Sequence, residues 1–158
     1  MEIRTILVPT DFSEYAEYAF TWALQMAADW QAKLILFHAT APISPLAFPD
    51  SVYLPELRRV EADMLADAEK RMAEFVGKKG SRAVVVETRV VVGEPVSEIC
   101  QAVGREQADL IIMGSHGRTG LSHVLLGSVA ERVIRHASCP VLVARKPKEK
   151  SRASLGQV

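Results

Sequence analysis

Two rhythms of apolar residues alternate along this chain. Short apolar or β-branched runs lie at Ile3–Val8, Lys33–His38, Val84–Val92, Ala108–Ile112 and Val141–Ala144. Between them are longer stretches in which apolar residues recur every three or four positions. Runs of that length read as strands, and the three-to-four spacing reads as helices with one buried face. The first helix is expected at about 13–31, where Ala16, Ala19, Phe20, Ala23 and Ala27 form the stripe, with Asp11 or Ser13 as its cap. The second is expected at about 53–77, with Leu57, Val60, Met64, Ala68, Met72 and Phe75 on one side. Its opposite face (Arg58, Arg59, Glu61, Asp67, Lys70, Arg71) suits solvent, and Gly77-Lys78-Lys79-Gly80 should end it. Gly93-Glu94-Pro95 turns into a third helix with Val96, Ile99, Cys100 and Val103 inward, Pro95 fitting its first position. The fourth strand is expected at 109–113, the last helix at about 126–137 and the final strand at 141–144.

Strands separated by helices imply parallel pairing through right-handed crossovers, hence a doubly wound α/β sandwich. Near-continuous apolar strands agree with a sheet covered on both faces. Ligands in such folds sit beyond the carboxyl ends of the strands where the winding reverses. The connections richest in polar and glycine chemistry follow the first and fourth strands, so these two strands are expected to be neighbours flanking a cleft. A proline-rich loop, 39–51, holds Pro42, Pro45 and Pro49. Residues 1–145 are expected to form a single domain and 146–158 a loose tail.

Composition narrows the function. The 158 residues carry no net charge, which argues against a dedicated nucleic-acid binder, although Lys146, Lys148, Lys150 and Arg152 gather at the end. No apolar stretch approaches the ~20 residues of a membrane span. The first strand begins without a basic leader segment, and Cys100 and Cys139 have neither C-x-x-C nor metal spacing. A cytoplasmic protein with Cys100 as a buried reduced thiol is the expectation.

The chemistry concentrates in Met113-Gly114-Ser115-His116-Gly117-Arg118-Thr119-Gly120-Leu121 and the following Leu126-Gly127-Ser128-Val129. A glycine-rich connection from strand to helix can bring bare N–H groups to a phosphate, with the positive end of the helix behind them. This is not a P-loop, because no Gly-Lys-Ser/Thr follows. Nor is it the dinucleotide fingerprint, since the first strand runs into Pro9-Thr10-Asp11-Phe12-Ser13 without a glycine. Each residue also has a plainer role. Gly117 could serve a turn, Gly127 could begin a helix, Ser128 could be a cap, and Asp11 is as well suited to a cap as to a ligand. Arg118 either offsets phosphate charge or faces water. His116 and His123 lack metal-ligand spacing and read as surface residues, while His38 reads as a hydrogen-bonded structural residue. A hydrolase built on Ser115 or Ser128 has little support, as no G-x-S-x-G elbow is present.

The opening Ile6-Leu7-Val8-Pro9-Thr10-Asp11-Phe12-Ser13, the spacing G-x2-G-x9-G-[S/T] met by Gly114, Gly117, Gly127 and Ser128, and the closing Ser138-Cys139-Pro140-Val141-Leu142-Val143 together resemble the ATP-binding universal stress proteins. The likeness spans about residues 1–145. It implies a Rossmann-like, adenine nucleotide α-hydrolase-like sheet of five parallel strands in the order 3-2-1-4-5. It also implies an ATP pose, with Asp11 at the ribose and backbone near Pro9, Thr10 and Ala39 at the adenine. Met113 would pack on the nucleoside, while Gly114, Gly117, Arg118, Gly127, Ser128 and Val129 would surround the phosphates, with Mg2+ or Mn2+. The last strand (Val141, Leu142, Val143) would pair with its twin in a homodimer. No base for rapid phosphoryl transfer is evident, so the expected activity is a nucleotide-dependent stress-response signal with slow or no hydrolysis. The alternative is an interaction module of the same fold that works without nucleotide, through a downstream partner not legible in the sequence.

Overall fold

The computed structural model describes residues 2–43, 54–79, 84–117 and 126–147. Five strands alternate with four helices: β1 (Thr5–Pro9), α1 (Glu14–Trp30), β2 (Lys33–Thr40), α2 (Leu54–Lys79), β3 (Val86–Val92), α3 (Pro95–Arg105), β4 (Leu110–Gly114), α4 (Ser128–His136) and β5 (Val141–Ala144). All pair in parallel in the order β3-β2-β1-β4-β5. β1 therefore lies between β2 and β4, with Leu7 opposite Ile35 on one side and Ile111 on the other. The winding reverses between β1 and β4, where the polar and glycine-rich connections after the first and fourth strands placed it.

Strand side chains alternate between two cores, because successive residues point to opposite faces. Ile6, Val8, Leu34, Leu36 and Ile112 pack under α1 and α2 against Phe20, Ala23, Met72 and Phe75. Leu7, Ile35, Phe37, Ile111 and Met113 pack under α3 and α4 against Val96, Ile99, Ala130 and Val133.

Several boundaries move, for local reasons. Ser13, not Asp11, caps α1, its hydroxyl accepting the Ala16 N–H at 3.2 Å. Gln31 ends that helix in the left-handed conformation with φ 56°. Asp109 stays outside β4 because its carboxylate accepts the Arg4 and Thr5 N–H groups at 2.8 and 3.0 Å. β3 begins at Val86, and the preceding Val85 is 69% exposed.

The expected stripe of α2 is buried over only part of its length. Ala68, Met72 and Phe75 lie in the core, whereas Val60 and Met64 are exposed. A helix of 26 residues spans about 39 Å at 1.5 Å per residue. The 7-residue strand β3 covers about 23 Å, so α2 outruns the sheet. Cys100 is half-buried rather than buried, as is Cys139, and both are free thiols. Most of the proline-rich loop and the tail from residue 148 onward lie outside the described residues.

Candidate nucleotide site at the carboxyl ends of the strands

The turn after β1 is closed by its own side chains. Thr10 is buried; its N–H donates to the Phe37 carbonyl at 2.8 Å, and its hydroxyl accepts the Phe12 N–H at 3.0 Å. Asp11 Oδ1 accepts the Ser13 N–H at 3.0 Å. These are short local side-chain-to-backbone bonds of the kind Thr, Asp and Ser make in turns. His38 Nδ1 lies 2.8 Å from the Thr10 carbonyl oxygen, and since a carbonyl only accepts, this nitrogen carries the proton. The structural role expected of His38 is thus met.

The connection after β4 works through missing side chains. A Cβ on Gly114 would stand 2.8 Å from the Tyr15 carbonyl carbon and oxygen, so only glycine lets β4 end so close to the start of α1. A Cβ on Gly117 would stand 2.8 Å from Asp11 Oδ2, which brings the two connections together. The Gly127 N–H donates to the Ser115 carbonyl at 2.7 Å, folding the start of α4 back over the end of β4. Gly127 is the N-cap of α4 with φ −68°, and no side chain caps the helix. Ser128 is therefore the first helical residue and not the cap.

Between these connections lies a cavity of about 330 Å³. Pro9, Thr10, Asp11, Ala39, Met113, Gly114, Gly117, Gly127, Ser128 and Val129 all line it. Of the residues singled out in the sequence for nucleotide contact, Arg118 lies outside the described residues, as does His123. The wall also includes Ala16, Phe37, His38, Pro95, Ile99, His116 and Ala130, which sequence reasoning did not assign to a site. Pro95 and Ile99 carried a usable signal, because the turn from β3 to α3 opens at the same end of the sheet.

His116 corrects the surface reading. It lines the cavity, its Nδ1 lies 3.0 Å from Ser115 Oγ, and its ring sits 5.3 Å from that of Tyr15. Ser115 itself is buried at 2% exposure and does not line the cavity, whereas Ser128 does.

Beside the cavity, Glu94 caps α3 by accepting the Ser97 N–H at 2.8 Å and pairs with Arg132 of α4 at 3.0 Å. The Ser97 N–H first, and Arg132 after it, hold the Glu94 carboxyl below its ordinary range. Burial pushes the Cys100 and Cys139 thiols up, which disfavours reactive thiolates. Among the described residues no group of His, Cys, Asp or Glu side chains gathers to hold a metal ion. Asp11 supplies the carboxylate in the described wall. No described helix is long and apolar enough to cross a membrane.

The fold defines a doubly wound parallel α/β domain with a cavity at the reversal of winding. Residues 2–145 match the model of the Universal stress protein family, and the chain belongs to that family. It is 38% identical over 149 residues to universal stress protein MJ0531 of Methanocaldococcus jannaschii, covering 92% of this chain and 84% of the relative. Among solved structures it resembles hypothetical protein MJ0577, with a TM-score of 0.77 and 31% identity over 94% of this chain and all (100%) of that one. It also resembles a universal stress protein in complex with cAMP, with a TM-score of 0.59 and 29% identity over 92% of this chain and 98% of the other.

Proposed function

We propose that this chain binds ATP in the cavity between β1 and β4 and acts as a nucleotide-dependent stress-response signalling dimer. The observation that carries this reading is the convergence of Asp11, Met113, Gly114, Gly117, Gly127 and Ser128 on one cavity from two separate connections. Asp11 serves the ribose, the backbone near Pro9, Thr10 and Ala39 meets the adenine, and the uncapped start of α4 (Ser128, Val129) faces the phosphates. Arg118 is assigned to the phosphates on the same reading. The cAMP complex of a relative supports an adenine nucleotide as the ligand class. Mg2+ or Mn2+ would accompany the phosphates, with the Ser128 hydroxyl as an oxygen donor in the described wall.

Hydrolysis is slow or absent on this reading. Phosphoryl transfer needs a positioned water or hydroxyl and usually a base, and the sequence offers no strong candidate for that base. Two free, half-buried thiols suit a reducing cytoplasm. The domain comprises residues 1–145, with 146–158 as an appended tail. Dimerisation uses the β5 edge, where Val141, Leu142 and Val143 are half-buried and apolar. The opposite edge carries the ion pairs Lys33–Glu87 (2.9 Å), Arg89–Glu87 (2.7 Å) and Arg89–Glu106 (3.1 Å), which discourage strand addition there. Sedimentation should give a dimer, and Leu142→Lys a monomer; a wild-type monomer at all concentrations removes this part.

One observation favours a second reading, a nucleotide-independent interaction module. Gly114 already has a packing reason, the Tyr15 backbone, without any ligand. Calorimetric titration with Mg-ATP, against GTP and AMP, separates the two. Micromolar binding, about −8 kcal/mol, with preference for ATP is expected. No heat at several temperatures, with no nucleotide retained on purification, gives the second reading precedence.

A further inference from the structure

Phe12 sits between a cavity residue and a helix cap, with a backbone that bulky residues rarely adopt. Its φ is 65°, in the left-handed region where glycine is at home. Such conformations persist when the surroundings hold them, and they concentrate where geometry serves a site. The surroundings here are specific. The Phe12 ring lies 4.6 Å from the His38 ring and 6.0 Å from Phe75, edge to face. The Arg71 guanidinium stands 4.2 Å from the ring centroid, a cation–π contact reaching across from α2. His38 is itself anchored to the carbonyl of Thr10, two residues before Phe12 and on the cavity wall.

The turn held in this way sets the direction of Asp11. With Phe12 left-handed, Asp11 Oδ1 accepts the Ser13 N–H, and Oδ2 comes to the place where Gly117 lacks a Cβ. The Phe12 N–H meets Thr10 Oγ1 in the same turn. A glycine at position 12 would reach this backbone at no steric cost, so the ring is retained against strain, and the aromatic and cation contacts that hold it come from β2 and α2.

We propose that Phe12 and Arg71 are positioning residues for the cavity. The Phe12 ring, held by His38, Phe75 and the Arg71 cation, fixes the left-handed turn that aims the Asp11 carboxylate at the glycine connection. The part of this inference that concerns ligand affinity rests on the nucleotide reading; the part that concerns the turn does not. Because Arg71 belongs to α2, the contact also ties that helix to the site.

Two measurements on the full chain test it. Amide exchange at Ser13 in the ligand-free protein reads the turn, and Mg-ATP calorimetry reads the site. Phe12→Ala keeps the backbone cost and loses the ring, so Ser13 exchange should quicken and affinity fall, each about tenfold. Phe12→Gly removes ring and strain together and should stay within about threefold of wild type. Arg71→Ala should give about a threefold effect on both readouts, with Arg71→Lys recovering most of it. In an Asp11→Ala background, Phe12→Ala should add less than about twofold to the loss of affinity, since the two act through one carboxylate. Unchanged Ser13 exchange in both Phe12→Ala and Arg71→Ala overturns the proposal. So does an affinity loss in Phe12→Ala that persists in full without Asp11, or one matched by Phe12→Gly. If Phe12→Ala does not fold, the Arg71 pair decides. If wild type binds no Mg-ATP, the nucleotide function fails while Ser13 exchange still decides the turn.

Discussion

The two ends of the β1–β4 pair are built on opposite plans. At the amino end the Asp109 carboxylate accepts two backbone N–H groups, those of Arg4 and Thr5, and stitches the strands shut. At the carboxyl end the connections diverge to opposite faces of the sheet and leave a cavity of about 330 Å³. There the turn after β1 is rigid because its side chains close it, and the connection after β4 approaches because its glycines have none. The same two strands thus give a sealed structural end and an open chemical one. The reason is the winding: crossovers from neighbouring strands leave in opposite directions only at the reversal.

This contrast can be broken most severely at Gly114. Gly114→Val would place its side chain within 2.8 Å of the Tyr15 backbone, which cannot swing away. A loss of about 3 kcal/mol of stability is expected in denaturant unfolding, from overpacking. A variant as stable as wild type would show that this close approach is not required for packing. Gly117→Val makes the same kind of clash with a yielding atom, Asp11 Oδ2. Its stability should change by less than about 1 kcal/mol, while Mg-ATP affinity should fall at least about tenfold, or ~1.4 kcal/mol. Intact affinity would detach Gly117 from the ligand.

The smallest effect belongs to the sealed end. The Arg4 and Thr5 backbone N–H groups hold the Asp109 carboxyl below its ordinary range. A folded value below the unfolded one stabilises above the unfolded pKa, and that stabilisation is lost as pH falls through the folded pKa. Asp109→Asn should therefore cost about 0.5–1 kcal/mol at neutral pH. The gap from wild type should narrow as pH drops below about 4, the ordinary carboxylate pKa. Nucleotide affinity at neutral pH should be unchanged. A deficit that stays constant into acid would assign the effect to packing and not to the charge.

Much of this is legible in the sequence. Short apolar runs and the three-to-four spacing of helices located all nine elements, and the exceptional polar connections marked the strands that flank the cavity. A boundary slipped where a side chain overruled the pattern, as with the Asp109 carboxylate outside β4, while Ser13, one of the two caps the sequence offered, does cap α1. The α2 stripe misled because periodicity measures a face and not how far the partner sheet extends beneath it. Val60 and Met64 carry the right spacing and remain exposed. His116 misled differently: a histidine in a glycine-rich loop looks like surface until Ser115 and Tyr15 are placed beside it.

The chain's local chemistry therefore determined which residues form strands, helices and turns, and which connections hold ligand-competent groups, because hydrophobic period and turn chemistry act over a few residues. Only the tertiary structure decided that Gly117 meets Asp11, that His116, Pro95 and Ile99 join the cavity wall, and that Arg71 lies over a strained Phe12. These pairings join residues far apart in the chain, and their distances are set by how the helices pack on the twisted sheet.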